Sequence, residues 1–195
     1  GTGVKVTAID SGDLNAANVA AKLGGLQGII VPGGLGSNNA EGVLAAIRYA
    51  RENKVPFLGI CFGMRMAVVE YARNALGYQN TSSLFIDKGN GSTRLGLYAC
   101  ELAPKTQAAS IYKEKTIRER HAHSSEFNND YRGMFADTGM VFSGVNREHD
   151  LIEIAELKDH PYFIGCQFRP EFLSRPNRPH PLFVSFVAAA MGRKE

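Results

Sequence analysis

The sequence contains no tryptophan, only three cysteines and no long hydrophobic run. The number of cysteines is odd and they are widely spaced, at Cys61, Cys100 and Cys166. This pattern argues against a disulfide scaffold or a zinc site. No apolar stretch reaches the roughly 18 residues of a membrane-spanning helix, and the first residues lack the basic and apolar regions of a signal peptide. We therefore expect a cytoplasmic protein with reduced thiols, without a metal, a cofactor or a membrane partner.

An excess of charge of one sign is absent as well. The formal net charge is +3, from 22 Lys and Arg against 19 Asp and Glu, and the basic residues are spread along the chain. This distribution argues against a nucleic-acid partner, since such proteins gather their basic residues into a patch. With 195 residues, 44% of them hydrophobic, and no linker or repeat, residues 1–195 are predicted to form a single domain.

What the sequence does contain is an alternation of short apolar runs and helical patterns. Such alternation is typical of βαβ units, so we predict an α/β fold with a mixed, mostly parallel sheet flanked by helices. Residues 80–92 are polar and rich in glycine, and they are predicted to form a loop. The predicted strands are 28–31, 56–60, 93–102, 139–142, 151–157 and 162–168, of which the last four suit an antiparallel or mixed section, and the predicted helices are 39–53, 64–76 and 181–191.

The sharpest local motif is Gly-x-Cys-x-Gly, from Gly59 to Gly63, between a predicted strand and a predicted helix. Such a strand-to-helix turn is strained and tight, and it leaves no room for side chains two residues before and after its centre. The start of a helix also lowers the pKa of a thiol placed there. The pattern favours Cys61 as a nucleophile, whereas a buried structural cysteine is the alternative, and the interpretation we give to Cys100 and Cys166.

A second glycine-rich turn, Pro32 to Gly36, follows the first predicted strand and precedes a helix. Glycines in such a turn expose backbone N–H groups that bind an oxyanion or a phosphate. Because this turn lies one βα unit before Cys61, we predict an oxyanion-binding role for it.

Several stretches resemble class I glutamine amidotransferases, and among them the C-terminal glutaminase domain of CTP synthases. The resemblance lies in VPGGLG, AAIRYARENKVPFLGICFGM, AVVEYARNALG, TRLGLYACEL and DHPYFIGCQFRPEFLSRPNRPHPLF. It implies a flavodoxin-like fold and a thiol enzyme that hydrolyses glutamine through a γ-glutamyl thioester. In that family the released ammonia passes to a synthetase domain, which aminates UTP. This chain shows no counterpart of the family's synthetase domain, nor of the first strand and helix of its glutaminase domain.

Residue roles follow from the same resemblance. Cys61 corresponds to the nucleophile, and the backbone N–H groups around Gly34 and Phe62 correspond to the oxyanion hole. Glu171 corresponds to the residue that orients the catalytic base.

The chain departs from the family's pattern at the positions that bind glutamine and move protons. Arg169 stands where the family has the base histidine, and arginine cannot accept a proton at any working pH. Arg65 replaces a glutamine and Leu84 replaces a glutamate, while the family's arginine-rich run reads RHAHSSE here, with His121 and His123. We expect these substitutions to converge on one pocket.

Three functions remain open from the sequence. The first is a cysteine hydrolase for another, anionic substrate, held by Arg65 and Arg169, with His121 or His123 as base unless these histidines lie on a solvated loop. The second is a working glutaminase for an amide substrate, active with a separate synthetase domain or as a homo-oligomer. The third is a non-catalytic binding or assembly module, in which Arg169 and Glu171 neutralise each other in a salt bridge.

Overall fold

The structure, a computed structural model, describes residues 3–34, 39–87 and 93–192. Within these ranges helices and strands alternate through most of the chain, linked by short turns. The elements are α1 Val19–Leu23, β1 Ile29–Val31, α2 Ala40–Glu52, β2 Phe57–Ile60, α3 Phe62–Glu70, β3 Phe85–Asp87, β4 Arg94–Leu102, α4 Gln107–Tyr112, β5 Thr116–His123, β6 Ser125–Phe127, β7 Met140–Asn146, β8 Leu151–Leu157, β9 Phe163–Cys166 and α5 Pro181–Ala190.

Seven strands form one mixed sheet in the order β1-β2-β9-β8-β7-β4-β5, and β3 pairs with β6 in a separate antiparallel ribbon. The predicted α/β fold with a mixed sheet and flanking helices is confirmed. The prediction that the sheet is mostly parallel is wrong, because only the β1–β2 and β2–β9 pairs are parallel. The remaining pairs are antiparallel. Strands β7, β8 and β9 follow one another through short turns, which join only antiparallel neighbours.

Helices cover both faces of the large sheet. On one face α1, α2 and α3 pack on a core that includes the stacked rings of Phe57 and Phe163, whose centroids are 4.5 Å apart. On the other face α4 and α5 close a second core around Leu182 and Phe168. None of the helices in the described ranges is long and apolar enough to cross a membrane.

Most predicted elements are present, with ends shifted by a few residues. The predicted loop at 80–92 is wrong in part, because Thr81–Leu84 form a 3₁₀ turn and β3 follows it, while residues 88–92 lie outside the described ranges. Residues 3–10 form no strand, and among the described residues β1 pairs only with β2. Strand β1 is therefore the edge strand of the sheet, separated from β9 by β2. The carboxyl ends of β1 and β2 border the candidate site.

Candidate active site

Cys61 occupies the single residue between β2 and α3. Its backbone has φ 51° and ψ −99°, and its N–H donates a 2.7 Å hydrogen bond to the carbonyl oxygen of Cys166. A Cβ atom at Gly59 would lie 2.7 Å from the backbone of Gly63, and one at Gly63 would lie 2.2 Å from the carbonyl oxygen of Val31. The two glycines of the motif are therefore required by close backbone contacts on either side of Cys61.

The backbone of Cys61 leads to a stability prediction. A non-glycine residue with this φ and ψ is strained by about 1–3 kcal/mol. We expect Cys61→Gly to be more stable than Cys61→Ala by about 1 kcal/mol, because glycine relieves the strain at some cost in unfolded-state entropy. Urea unfolding of the two variants measures the difference. A Cys61→Gly variant less stable than Cys61→Ala would contradict a strained turn.

A cavity of about 320 Å³ opens beside Cys61. It brings together six of the nine residues that the sequence assigned to the site and leaves out Leu84, His121 and Glu171. The lining residues are Gly34, Cys61, Phe62, Arg65, Thr93, Ala122, His123, Ser124, Ser125 and Arg169. Within the described ranges no group of three His, Cys, Asp or Glu side chains is arranged to hold a metal ion.

Arg169 lies between the thiol and Glu171. Its Nε donates to Oε1 of Glu171 at 2.5 Å, and its guanidinium also interacts with the thiol of Cys61. The guanidinium lies over the ring of Phe172, 5.3 Å from the ring centroid. It also lies against Gly33, where an added Cβ atom would be only 2.5 Å from Nη1 of Arg169. The salt bridge between Arg169 and Glu171, one of the sequence alternatives, is thus present in the structure.

The thiol of Cys61 is buried, and this burial raises its pKa above the ordinary value. Arg169, a hydrogen bond from the Phe62 N–H and the charge of Arg65 each lower the pKa, but together they do not offset the burial. The sequence-based expectation of a lowered thiol pKa is therefore wrong for the structure as it stands. The free-energy cost of removing the thiolate from water exceeds the stabilisation that the nearby arginines and the Phe62 N–H give it at the start of α3.

The two predicted oxyanion-binding positions both line the cavity. Phe62 begins α3, and its backbone N–H faces the thiol of Cys61. Gly34 is exposed three residues after the end of β1 and also lines the cavity. Leu35 and Gly36, the rest of that glycine-rich turn, lie outside the described residues.

Leu84 does not reach the cavity. Its side chain is fully buried and belongs to the core beneath α2 and α3. The prediction that Leu84 lines the substrate pocket is therefore wrong. The reason is physical, because an aliphatic side chain gains by leaving water, and the core offers it apolar neighbours that the polar cavity does not.

His121 and His123 lie on strand β5 and are buried, so the alternative of a solvated loop is wrong for both. His123 lines the cavity, whereas His121 lies behind it. Nδ1 of His123 is 3.1 Å from the carbonyl oxygen of Ser125, and its Nε2 is 2.9 Å from Nδ1 of His121.

These two contacts determine where the protons lie. A carbonyl oxygen only accepts a hydrogen bond, so Nδ1 of His123 carries a proton, and in the neutral ring Nε2 is then the acceptor. His121 therefore donates from its Nδ1 to His123. Neither nitrogen of His123 has a lone pair directed at Cys61, and burial, together with Arg94 and His123, lowers the pKa of His121 to about 2.

Behind the histidines lies a buried charged cluster that the sequence analysis missed. Nη1 of Arg94 is 2.7 Å from Oε1 of Glu153 and 3.6 Å from Oε1 of Glu126, and Oε2 of Glu153 is 3.4 Å from Nε2 of His121. Burial raises the pKa of Glu153 to about 7, although Arg94 opposes the rise. The acidic residues in LIEIAEL suggest solvated positions, but every residue of β8 after Leu151 is buried, Glu153 among them.

Comparison with known proteins places this fold and site in a family. The family Glutamine amidotransferase class-I matches residues 1–189. The chain belongs to the class I glutamine amidotransferases.

Within the family the chain is similar to CTP synthases. It is 47% identical over 210 residues to the CTP synthase of Staphylococcus epidermidis, covering 98% of this chain and 39% of that protein. It is 46% identical over 211 residues to the CTP synthase of Clostridium acetobutylicum, with the same two coverages. The chain thus spans about two fifths of the length of these curated relatives.

A solved structure supports the same placement. The Trypanosoma brucei CTPS glutaminase domain with bound acivicin has a TM-score of 0.91 and 30% identity, and the match covers 100% of this chain and 83% of that one. A glutamine amido transferase from Methylobacillus flagellatus shares the fold, with 15% identity and a TM-score of 0.52 over 84% of this chain and 73% of that one.

Proposed function

We propose that this chain is a CTP synthase-type glutamine amidotransferase domain in which Cys61 keeps the nucleophile position but ordinary glutamine hydrolysis is impaired. The observation that carries the proposal is the 2.5 Å ion pair between Arg169 and Glu171, at the position of the base and of the residue that orients it. An arginine there holds its protons permanently, so it cannot accept the proton of the Cys61 thiol.

The chemistry of an amidotransferase explains why this loss is severe. The sulfur attacks the amide carbon, the carbonyl oxygen becomes an oxyanion near the N–H groups of Phe62 and Gly34, and the amine leaves only after it gains a proton. One general base serves both proton transfers, by taking the thiol proton and giving it to the leaving ammonia. In this cavity Arg169 cannot take it, and both nitrogens of His123 are engaged.

The proposal extends to the whole protein by similarity. The similar relatives are CTP synthases, and this chain corresponds to about two fifths of their length. We propose that an ammonia-using synthetase domain is the natural partner, held in the same polypeptide or in another copy of the assembly. A binding or assembly role without catalysis is the second candidate, favoured by the absence of an available proton acceptor among the described cavity residues.

The direct test is ammonia release from glutamine, measured on the purified chain and on Cys61→Ala. We expect the two rates to be indistinguishable. In parallel, the glutamine-like electrophile 6-diazo-5-oxonorleucine should label Cys61 far more slowly than iodoacetamide does, as read by peptide mass. Rapid Cys61-dependent ammonia release, or rapid labelling by the glutamine mimic, would overturn the proposal.

A further inference from the structure

Arg65 is a half-buried cation without an acidic partner. Its Nε is buried and makes no hydrogen bond, its guanidinium lies over the ring of Phe85 at 5.4 Å, and no carboxylate of the described residues pairs with it. The internal stretches outside the described ranges, LGSN and KGNGS, contain no Asp or Glu. A partly desolvated guanidinium needs a negative charge or hydrogen-bond acceptors to offset the loss of water.

Arg169 adds a second guanidinium to the same cavity. Glu171 engages its Nε, and its charge still acts on the thiol of Cys61, as does that of Arg65. The other polar side chains among the described lining residues are the hydroxyls of Thr93, Ser124 and Ser125 and the ring of His123, and none of these described residues is a carboxylate. The start of α3 at Phe62 adds the positive end of a helix.

We propose that the cavity binds a small oxyanion, a carboxylate or a phosphate, with its charged oxygens between Arg65 and Arg169 beside Sγ of Cys61. This inference deepens the proposed function of the same site. An ordinary amidotransferase must accept an uncharged amide at that point, whereas two guanidiniums favour a charged group of the same size. Guanidinium groups suit carboxylate and phosphate oxygens because they donate several hydrogen bonds in one plane.

Two alkylating reagents of nearly equal size test the preference at Cys61 itself. Iodoacetate carries a carboxylate where iodoacetamide carries an amide, and in both the thiolate displaces iodide. We expect the iodoacetate-to-iodoacetamide rate ratio at Cys61 to exceed that of free glutathione by about tenfold, since a charge-assisted hydrogen bond is worth that much or more. Peptide mass spectrometry reads Cys61 separately from the buried Cys100 and Cys166.

Variants identify the groups responsible. Arg65→Gln and Arg169→Gln should each lower the ratio towards the glutathione value, while Arg132→Gln should not, because Arg132 forms an exposed pair with Asp150 at a distance of 3.2 Å. Circular dichroism confirms that each variant is folded. At constant ionic strength, succinate and inorganic phosphate should slow alkylation by iodoacetamide in a saturable manner, and the stronger of the two identifies the class of oxyanion.

The possible results separate the two proposals. A ratio at or below the glutathione value, or a Cys61 that neither reagent labels, would overturn the oxyanion site and leave the impaired glutaminase untouched. Rapid ammonia release from glutamine together with a raised ratio would overturn the impaired glutaminase and retain the oxyanion site. Protection by succinamide, the uncharged diamide of nearly the same size, equal to that by succinate would also count against a preference for charge.

Discussion

Replacing Arg169 by histidine is expected to raise Cys61-dependent ammonia release from glutamine by at least about 100-fold, since a positioned general base contributes on the order of 10²–10⁴ in rate. The backbone of residue 169 is already fixed, because its N–H donates to the carbonyl oxygen of Arg120 at 2.8 Å. Glu171, released from the guanidinium, is then free to accept from the ring and orient it. The substitution also removes the ion pair that now occupies the site.

The design of this experiment separates the base from the charge. Arg169→Gln removes the guanidinium without adding a proton acceptor and should stay inactive, as should Arg169→His combined with Cys61→Ala. The activity of Arg169→His should rise with pH through about 6.5, the ordinary pKa of a histidine, because only the neutral ring accepts a proton. If Arg169→His and Arg169→Gln were equally inactive while iodoacetamide still labelled Cys61, the missing base would not be what limits the reaction.

Replacing Arg94 by methionine is expected to cost about 3–5 kcal/mol of unfolding free energy, because it leaves buried carboxylates without their cation. Glu153 and Glu126 both face the guanidinium, and the side chain of Arg94 is only 7% exposed. Arg48→Met is the matched control, since the Arg48–Glu52 pair has a similar distance of 2.8 Å but lies in solvent. It should cost under about 1 kcal/mol.

The pH dependence of this loss has a definite sign. The pKa of folded Glu153 is already raised to about 7, and without Arg94 it rises further. For an acid whose folded pKa is above its unfolded pKa, the folded state gains stability as the pH falls between the two values. Below about pH 7 the carboxyl group of Glu153 is protonated in the folded state with or without Arg94, so the cost of Arg94→Met should shrink as the pH falls towards about 7 and level off below it. Urea unfolding that shows equal costs for both arginine variants would contradict a buried cluster.

The sequence predicted an element correctly where residues close together in the chain form a recognisable pattern. Val43, Leu44 and Ile47 form an apolar stripe that predicted helix α2, while Asn39, the first residue of the predicted helix 39–53, is its N-cap in the structure. The spacing of Gly59 and Gly63 predicted the sharp turn at Cys61, since only a backbone without Cβ atoms fits there. Such signals depend on neighbours along the chain, so a single sequence contains them.

Strand direction and side-chain partners depend instead on residues far apart in sequence. Arg94 and Glu153 are separated by 59 positions in the sequence, and His121 and Glu153 by 32. No local sequence pattern therefore indicates that these side chains are in contact. The ends of several predicted strands were off by a few residues, and β5 and β6 were missed, because their charged and polar residues resemble those of a surface. The burial of β5 arises only when it pairs with β4 in the large sheet, and that of β6 only when it pairs with β3 and Phe127 packs in the core.

The sequence by itself determined the class of fold, the tight turn at Cys61 and the inability of Arg169 to accept a proton, because each follows from residue type and local spacing. Tertiary structure decided that Arg169 pairs with Glu171, that Leu84 lies in the core, and that His123 is held by His121 and Ser125. It also decided that burial outweighs two arginines in setting the pKa of the thiol. Desolvation and pairing depend on everything that surrounds a group, and only the folded chain specifies those surroundings.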